Sequence, residues 1–168
     1  MAHAEHDDSG RTSQIPTIVI VDDEEMVLTS LSSFLSLETE YNVVTFSRAP
    51  DALDYIKDHS VDLIVSDYLM PEMDGITFLG KAKQMQPNAT RIILTGYADK
   101  ENAIKAINDV GLFQYIEKPW DNDDLLIVLR NGLEKQMLMR KLDQKIAEIN
   151  KAYADLQSLH KEIVKTFV

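Results

Sequence analysis

Residues 17–25 read Thr17-Ile18-Val19-Ile20-Val21-Asp22-Asp23-Glu24-Glu25, and this stretch decides the fold. Four consecutive apolar, β-branched residues suit a strand buried on both faces, as in the middle of a parallel sheet. The run ends abruptly in four carboxylates. Glu24 and Glu25 then open a segment of helical period, where negative charge suits the N-terminal end of a helix dipole. Met26, Val27, Leu31, Phe34 and Leu35 recur at spacings of three and four, which predicts one apolar helix face.

The same unit repeats along the chain. Strands are expected at Thr17–Val21, Val43–Phe46, Leu63–Ser66, Arg91–Thr95 and Phe113–Glu117. Helices are expected at about 48–58, at Gly75–Met85 ahead of Pro87, and at about 99–109 with Gly111 as its stop. A fifth helix follows Pro119-Trp120, with Asp121, Asn122 or Asp123 as its cap. Strict alternation of strand and helix implies a doubly wound α/β domain with a parallel sheet covered on both faces. In such folds a functional site lies at the carboxyl ends of the strands.

Those ends carry a convergent set. Asp22 and Asp23 follow the first strand, Asp67 the third, Thr95 the fourth and Lys118 the fifth. Each alone has an ordinary explanation: a turn, a cap or a β-former. Their coincidence on one sheet edge is the signal. Three adjacent carboxylates repel one another and call for a hard divalent cation with oxygen ligands, Mg²⁺ in a cell. An ionised aspartate can act as a nucleophile toward phosphorus, and an ammonium can stabilise charge on phosphoryl oxygens. Thr95 can bond a phosphoryl oxygen only after one is installed, which makes it a sensor of the covalent state.

Other uses of the fold fail on composition. A dinucleotide site needs a glycine-rich first turn, and here that turn carries four negative charges and no glycine. No Gly-x-Ser-x-Gly occurs, and the four histidines lie outside the strand-end set. There is no cysteine, so disulfides and thiolate chemistry are excluded. The net charge of −11 argues against direct nucleic-acid binding. The longest clean apolar run, Ile18–Val21, is too short for a membrane span, and the polar start does not read as a signal peptide. A cytoplasmic location without membrane attachment is expected.

The motifs resemble the receiver domains of bacterial two-component response regulators. The matching pieces are Asp22-Asp23, Asp67-x-x-Met70-Pro71-x-Met73-Asp74-Gly75, Thr95-Gly96 and Lys118-Pro119. The resemblance implies a flavodoxin-like five-stranded sheet in the order 2-1-3-4-5. It implies Asp67 as phosphoacceptor, not an enzyme acting on other molecules, with a sensor histidine kinase or phosphotransfer protein as donor. It further implies Mg²⁺ on Asp22, Asp23, Asp67 and the Leu69 backbone carbonyl, phosphoryl contacts from Thr95 and Lys118, a cis Lys118-Pro119 bond, and a switch pairing Thr95 with Tyr115. Leu69 and Tyr97 occupy the two positions that tune phosphate lifetime in the family. Neither readily positions an attacking water, so a long-lived acyl phosphate is expected. The run Leu94-Thr95-Gly96-Tyr97-Ala98-Asp99 with Lys118-Pro119-Trp120 is most similar to receivers that precede HD-GYP cyclic-di-GMP phosphodiesterase domains. Two rivals are a metal-dependent aspartyl phosphatase and a coiled-coil adaptor indifferent to phosphorylation. The phosphatases carry a second acid two residues after the nucleophile, where Leu69 stands here.

The chain divides into three. Residues 1–14 lack periodicity and are read as a disordered arm, in which His3 and His6 are solvated rather than a metal pair. Residues 15–133 form the receiver, and residues 1–133 together hold 10 basic and 23 acidic side chains. Residues 134–168, with 7 basic and 5 acidic, form a coiled-coil helix extending the fifth helix. Leu142, Ile149, Leu156 and Ile163 recur every seven residues, and Met139, Ile146, Tyr153, His160 and Phe167 fill the alternate seam. A parallel homodimer is the simplest way to bury that stripe. The apolar ending Ile163–Val168 is expected to continue as a linker into a longer protein.

Overall fold

The computed structural model describes residues 14–167. The arm predicted for 1–14, with His3 and His6, therefore lies outside the described residues except for Gln14. The elements alternate as the sequence implies: β1 (Thr17–Val21), α1 (Glu25–Glu38), β2 (Asn42–Phe46), α2 (Ala49–Asp58), β3 (Leu63–Asp67), α3 (Gly75–Met85), β4 (Thr90–Thr95), α4 (Lys100–Asp109), β5 (Gln114–Glu117) and α5 (Asn122–Thr166). A single 3₁₀ turn, Tyr97–Asp99, precedes α4. All strand pairings are parallel and the order is β2-β1-β3-β4-β5.

Side-chain alternation along each strand builds two cores. Val19, Val21, Ile64 and Ile93 point to the face covered by α2, α3 and α4. Ile18, Ile20, Leu63, Val65, Ile92 and Leu94 point to the face covered by α1 and α5. Every residue of β3 and β4 is buried, as expected of central parallel strands.

One expectation needs correcting. Met26 does not belong to the buried face of α1; it is 84% exposed. The buried stripe is Leu28, Leu31 and Leu35, with Val27 and Phe34 packed at its margin. Met26 stands two residues from Leu28, about 200° around the helix, and so points away from the sheet.

The fifth helix is capped by Asp121, whose carboxylate accepts from the Asp123 and Asp124 N–H groups at 2.9 and 3.2 Å. It starts beside the strand C-termini and runs back across the sheet. Leu125, Leu126, Leu129, Gly132, Leu133 and Gln136 form its buried side. At Gly132 the helix meets the N-terminal ends of β3 and β4. A Cβ there would lie 2.9 Å from Leu63 and 3.0 Å from Thr90, and Thr90 Oγ1 donates to the Gly132 carbonyl at 2.7 Å. Beyond this point polar ties continue. Arg140 pairs with Asp62 at 3.2 Å and bonds Ser60 at 3.0 Å, and Asn88 donates to Asp143. Apart from these ties residues 141–167 are exposed. The 45 residues of α5 span about 68 Å.

Candidate functional site

The C-terminal ends of β1, β3, β4 and β5 bring the expected residues together. Asp22 is fully buried, Asp67 is 8% exposed and Asp23 is exposed. One carboxylate oxygen from each lies within 4.8 Å of the others. The donor set is entirely oxygen, in a partly open cluster, so these three residues can hold a hard metal ion.

Lys118 reaches into this cluster from the end of β5. Its Nζ lies 2.9 Å from Asp22 Oδ2 and 3.2 Å from Asp67 Oδ1. The Lys118-Pro119 bond is cis, and the Lys118 N–H donates to the Thr95 carbonyl at 2.8 Å. Burial pushes the Asp67 carboxyl up to about 6, the Asp22 carboxylate adds to the rise, and Lys118 opposes it. Burial alone would lower the Lys118 pKa, but the hydrogen bond and charge of Asp22, with Asp67 adding to them, hold it above the ordinary lysine value.

The backbone fixes both aspartates. The Glu24 N–H donates to Asp22 Oδ1 at 2.9 Å, and the Tyr68 N–H to Asp67 Oδ1 at 2.9 Å. Ser66 Oγ donates to the Asp67 carbonyl at 2.9 Å. Gly75, the first residue of α3, sits against that same carbonyl. A Cβ on Gly75 would lie 2.0 Å from the Asp67 oxygen, so no other residue fits without moving the backbone of the acceptor. Asp74 caps α3 through the Thr77 N–H at 2.7 Å. The supporting roles of Ser66 and Gly75 were not read from the sequence, although Gly75 closes the quoted Met-Pro-x-Met-Asp-Gly run.

Thr95 is fully buried, and its hydroxyl donates to the Gly96 carbonyl at 3.1 Å rather than to Asp67. Tyr115, on β5, is half-buried against the core beside α4. Lys100 stands 5.8 Å from its ring centre and 3.6 Å from Glu117. The Leu69 side chain is exposed beside the site. Tyr97 opens the 3₁₀ turn after Gly96, and its side chain lies outside the described set. On the rim, Arg48 clasps Glu72 with contacts of 2.8–3.0 Å, joining the loop after β2 to the loop after β3.

The seam residues Met139, Leu142, Ile146, Ile149, Tyr153, Leu156, His160, Ile163 and Phe167 are all exposed. None of those beyond Met139 is brought to the strand-end cluster or to a core. Among the described residues no helix is long and apolar enough to cross a membrane.

Comparison with known proteins agrees with this geometry. Residues 18–130 match the response regulator receiver domain. The hydrogenase transcriptional regulatory protein HoxA of Cupriavidus necator is 35% identical over 130 residues, covering 76% of this chain and 27% of that protein. The chain thus corresponds to about a quarter of such a regulator's length. Among solved structures, the signal receiver domain of an HD domain-containing protein from Pseudomonas fluorescens Pf-5 is 39% identical with a TM-score of 0.69, over 74% of this chain and 98% of that one. An adenylate cyclase structure from Rhodopirellula baltica is 28% identical with a TM-score of 0.75, over 79% and 97%.

Proposed function

The chain belongs to the response regulator receiver domain family, and from that premise we propose that Asp67 accepts a phosphoryl group from a histidine kinase or phosphotransfer protein in the cytoplasm. The observation that carries the reading is the Lys118 ammonium set between Asp22 and Asp67 at the mouth of an all-oxygen acidic cluster.

The transfer follows from the side chains. An ionised Asp67 oxygen attacks the phosphorus of a phosphohistidine. The P–N bond breaks, its electron pair returns to the imidazole nitrogen, and solvent supplies the proton there. Lys118 stabilises negative charge on the equatorial oxygens. Mg²⁺ would be held by Asp22, Asp23, Asp67 and the Leu69 carbonyl, and when bound it supplies charge neutralisation at the phosphoryl group. The Thr95 hydroxyl then exchanges the Gly96 carbonyl for a phosphoryl oxygen, and Tyr115 moves inward behind it. The change alters how α4, β5 and α5 pack.

Residues 134–168 serve as a dimerisation and transmission helix. The seam places large apolar side chains on one stripe, while Lys141, Glu148, Asp155 and Lys161 lie off it. Burial of a leucine or isoleucine is worth roughly 1.5–3 kcal/mol, so even part of the stripe supports a parallel homodimer. The helix carries the change toward an output domain. The similar Pseudomonas fluorescens receiver belongs to an HD domain-containing protein, which supports an HD-type output, and we propose the HD-GYP phosphodiesterase as its form.

Stoichiometry tests the reading. With a phosphodonor and Mg²⁺ the chain should take up one phosphoryl group and stop, and Asp67→Ala should take up none. Continuous release of phosphate from small phosphoesters would replace it with the phosphatase reading.

A further inference from the structure

At the sheet edge opposite Asp67, a cleft of about 250 Å³ opens between the start of β4 and α5. Pro87, Ala89, Arg91, Gly111, Phe113 and Lys135 form most of its wall. We propose that this cleft binds a phosphate-class oxyanion through Arg91, Lys83 and Lys135. The proposal is independent of phosphorylation at Asp67.

Arg91 is the anchor. It is 8% exposed, yet among the described residues no carboxylate pairs with it. Its Nη1 donates to the Pro87 and Ala89 carbonyls at 3.2 and 3.0 Å, and its Nη2 to the Gly111 carbonyl at 3.0 Å. The buried Nε has no partner. Carbonyl dipoles satisfy hydrogens but supply no countercharge, and an uncompensated buried cation is expensive. Burial accordingly lowers the Arg91 pKa.

Two more cations stand nearby, Lys135 in the cleft wall and Lys83 beside Gly111. Measured from where a Cβ on Gly111 would stand, Lys83 Nζ is 3.2 Å away and Arg91 Nη2 is 3.5 Å away. Lys135 approaches from α5, its ammonium 5.3 Å from the Phe113 ring centre. Neither lysine forms an ion pair with a described residue. Arg91 and Lys135 thus line one half-enclosed space and Lys83 stands beside its Gly111 wall, three like charges from three elements in a chain whose net charge is −11. The carboxylate tied near this region, Asp143, is engaged by the Asn88 amide. An anion placed among the cations would relieve their repulsion and give the guanidinium its countercharge.

The volume selects the ligand. Sites for organic ligands usually measure about 300–1,000 Å³, and this cleft is smaller. It suits one tetrahedral oxyanion: inorganic phosphate, or the terminal phosphate of a larger molecule left outside. Because Lys135 belongs to α5 and Arg91 to β4, the bound anion would pin the helix to the body just before the coil.

The test uses the full chain without Mg²⁺, at constant ionic strength, titrated with inorganic phosphate and separately with AMP. The ¹⁵N spectrum reads the Arg91 Nε–H and the Gly111 N–H. Saturable shifts of both, weakened at least tenfold in Lys83→Ala/Lys135→Ala, are expected. Shifts with phosphate alone identify the free ion, and shifts with AMP as well identify a phosphate monoester. Arg91→Met removes three loop bonds and can unfold the chain, so the lysine pair carries the test. Unsaturable shifts, no shifts, or equal affinity in the double variant would overturn the proposal.

Discussion

Lys118 and Asp22, 96 residues apart in sequence, meet at 2.9 Å inside the acidic cluster. The ammonium occupies charge space that a metal cation must share. Lys118→Ala should therefore tighten divalent-cation binding by about threefold to tenfold while slowing phosphorylation by at least tenfold. The single tryptophan, Trp120, lies two residues beyond Lys118 and gives a fluorescence readout for a Mg²⁺ titration. Weaker Mg²⁺ binding in the variant would contradict the shared-charge account.

The raised Asp67 pKa makes a signed prediction for the metal-free protein. The unfolded carboxyl titrates near 3.8 and the folded one near 6, so between these values the folded state holds more protons. Stability from this group then falls as pH rises through that window and stays low above it, by up to about 3 kcal/mol. Urea unfolding in EDTA should show Asp67→Asn gaining on the natural protein from pH 4 to pH 6.5, with the difference level thereafter. Saturating Mg²⁺ should shrink that gain.

Gly75→Ala should be among the most damaging single changes. The new methyl would stand 2.0 Å from the Asp67 carbonyl, and either α3 or the acceptor strand must shift. A loss of about 3 kcal/mol or more is expected in urea unfolding, with phosphorylation reduced even where the fold survives.

The coil should be separable from the body. Ile149→Asp or Leu156→Asp places a charge in the seam and should convert a dimer to a monomer in light scattering. Neither residue touches the receiver body, so its melting temperature should move by no more than about 2 °C beyond the loss from dissociation. A natural chain that is already monomeric would remove the homodimer.

Phosphate lifetime should depend on Leu69. Its side chain is exposed beside Asp67 and offers no polar group to orient water. The acyl phosphate is expected to last minutes or longer, and Leu69→Glu should shorten it by about tenfold in a ³²P-release assay.

Much of the site was legible because chemistry at parallel strand ends follows from topology. Once β1, β3, β4 and β5 were placed, Asp22, Asp67, Thr95 and Lys118 had to share an edge. Details set by tertiary packing were harder to read. The α1 stripe could be drawn through Met26 or through Leu28, since both stripes contain Leu31 and Leu35, and only the sheet's position decides. The contact of Gly75 with the Asp67 carbonyl depends on how the loop after β3 returns. Arg140 and Asp143 look like ordinary solvated charges on a helix until Asp62 and Asn88 are brought beside them.

The close seating of Gly132 on β3 and β4 also has a mechanical meaning. From Gly132 the helix is held to the body as far as the Arg140 and Asp143 ties, and from Asp143 to Thr166 it runs about 35 Å without a break. The Asp143 tie would then serve as the fulcrum, with Gly132 and the strand ends on one arm and the coil on the other. A tilt of roughly 5° at the fulcrum would carry the far tip about 3 Å, equal to the rise of two helical residues. A displacement too small to disturb the packed sheet thus becomes, at the end of the rod, large enough to change which side chains interlock.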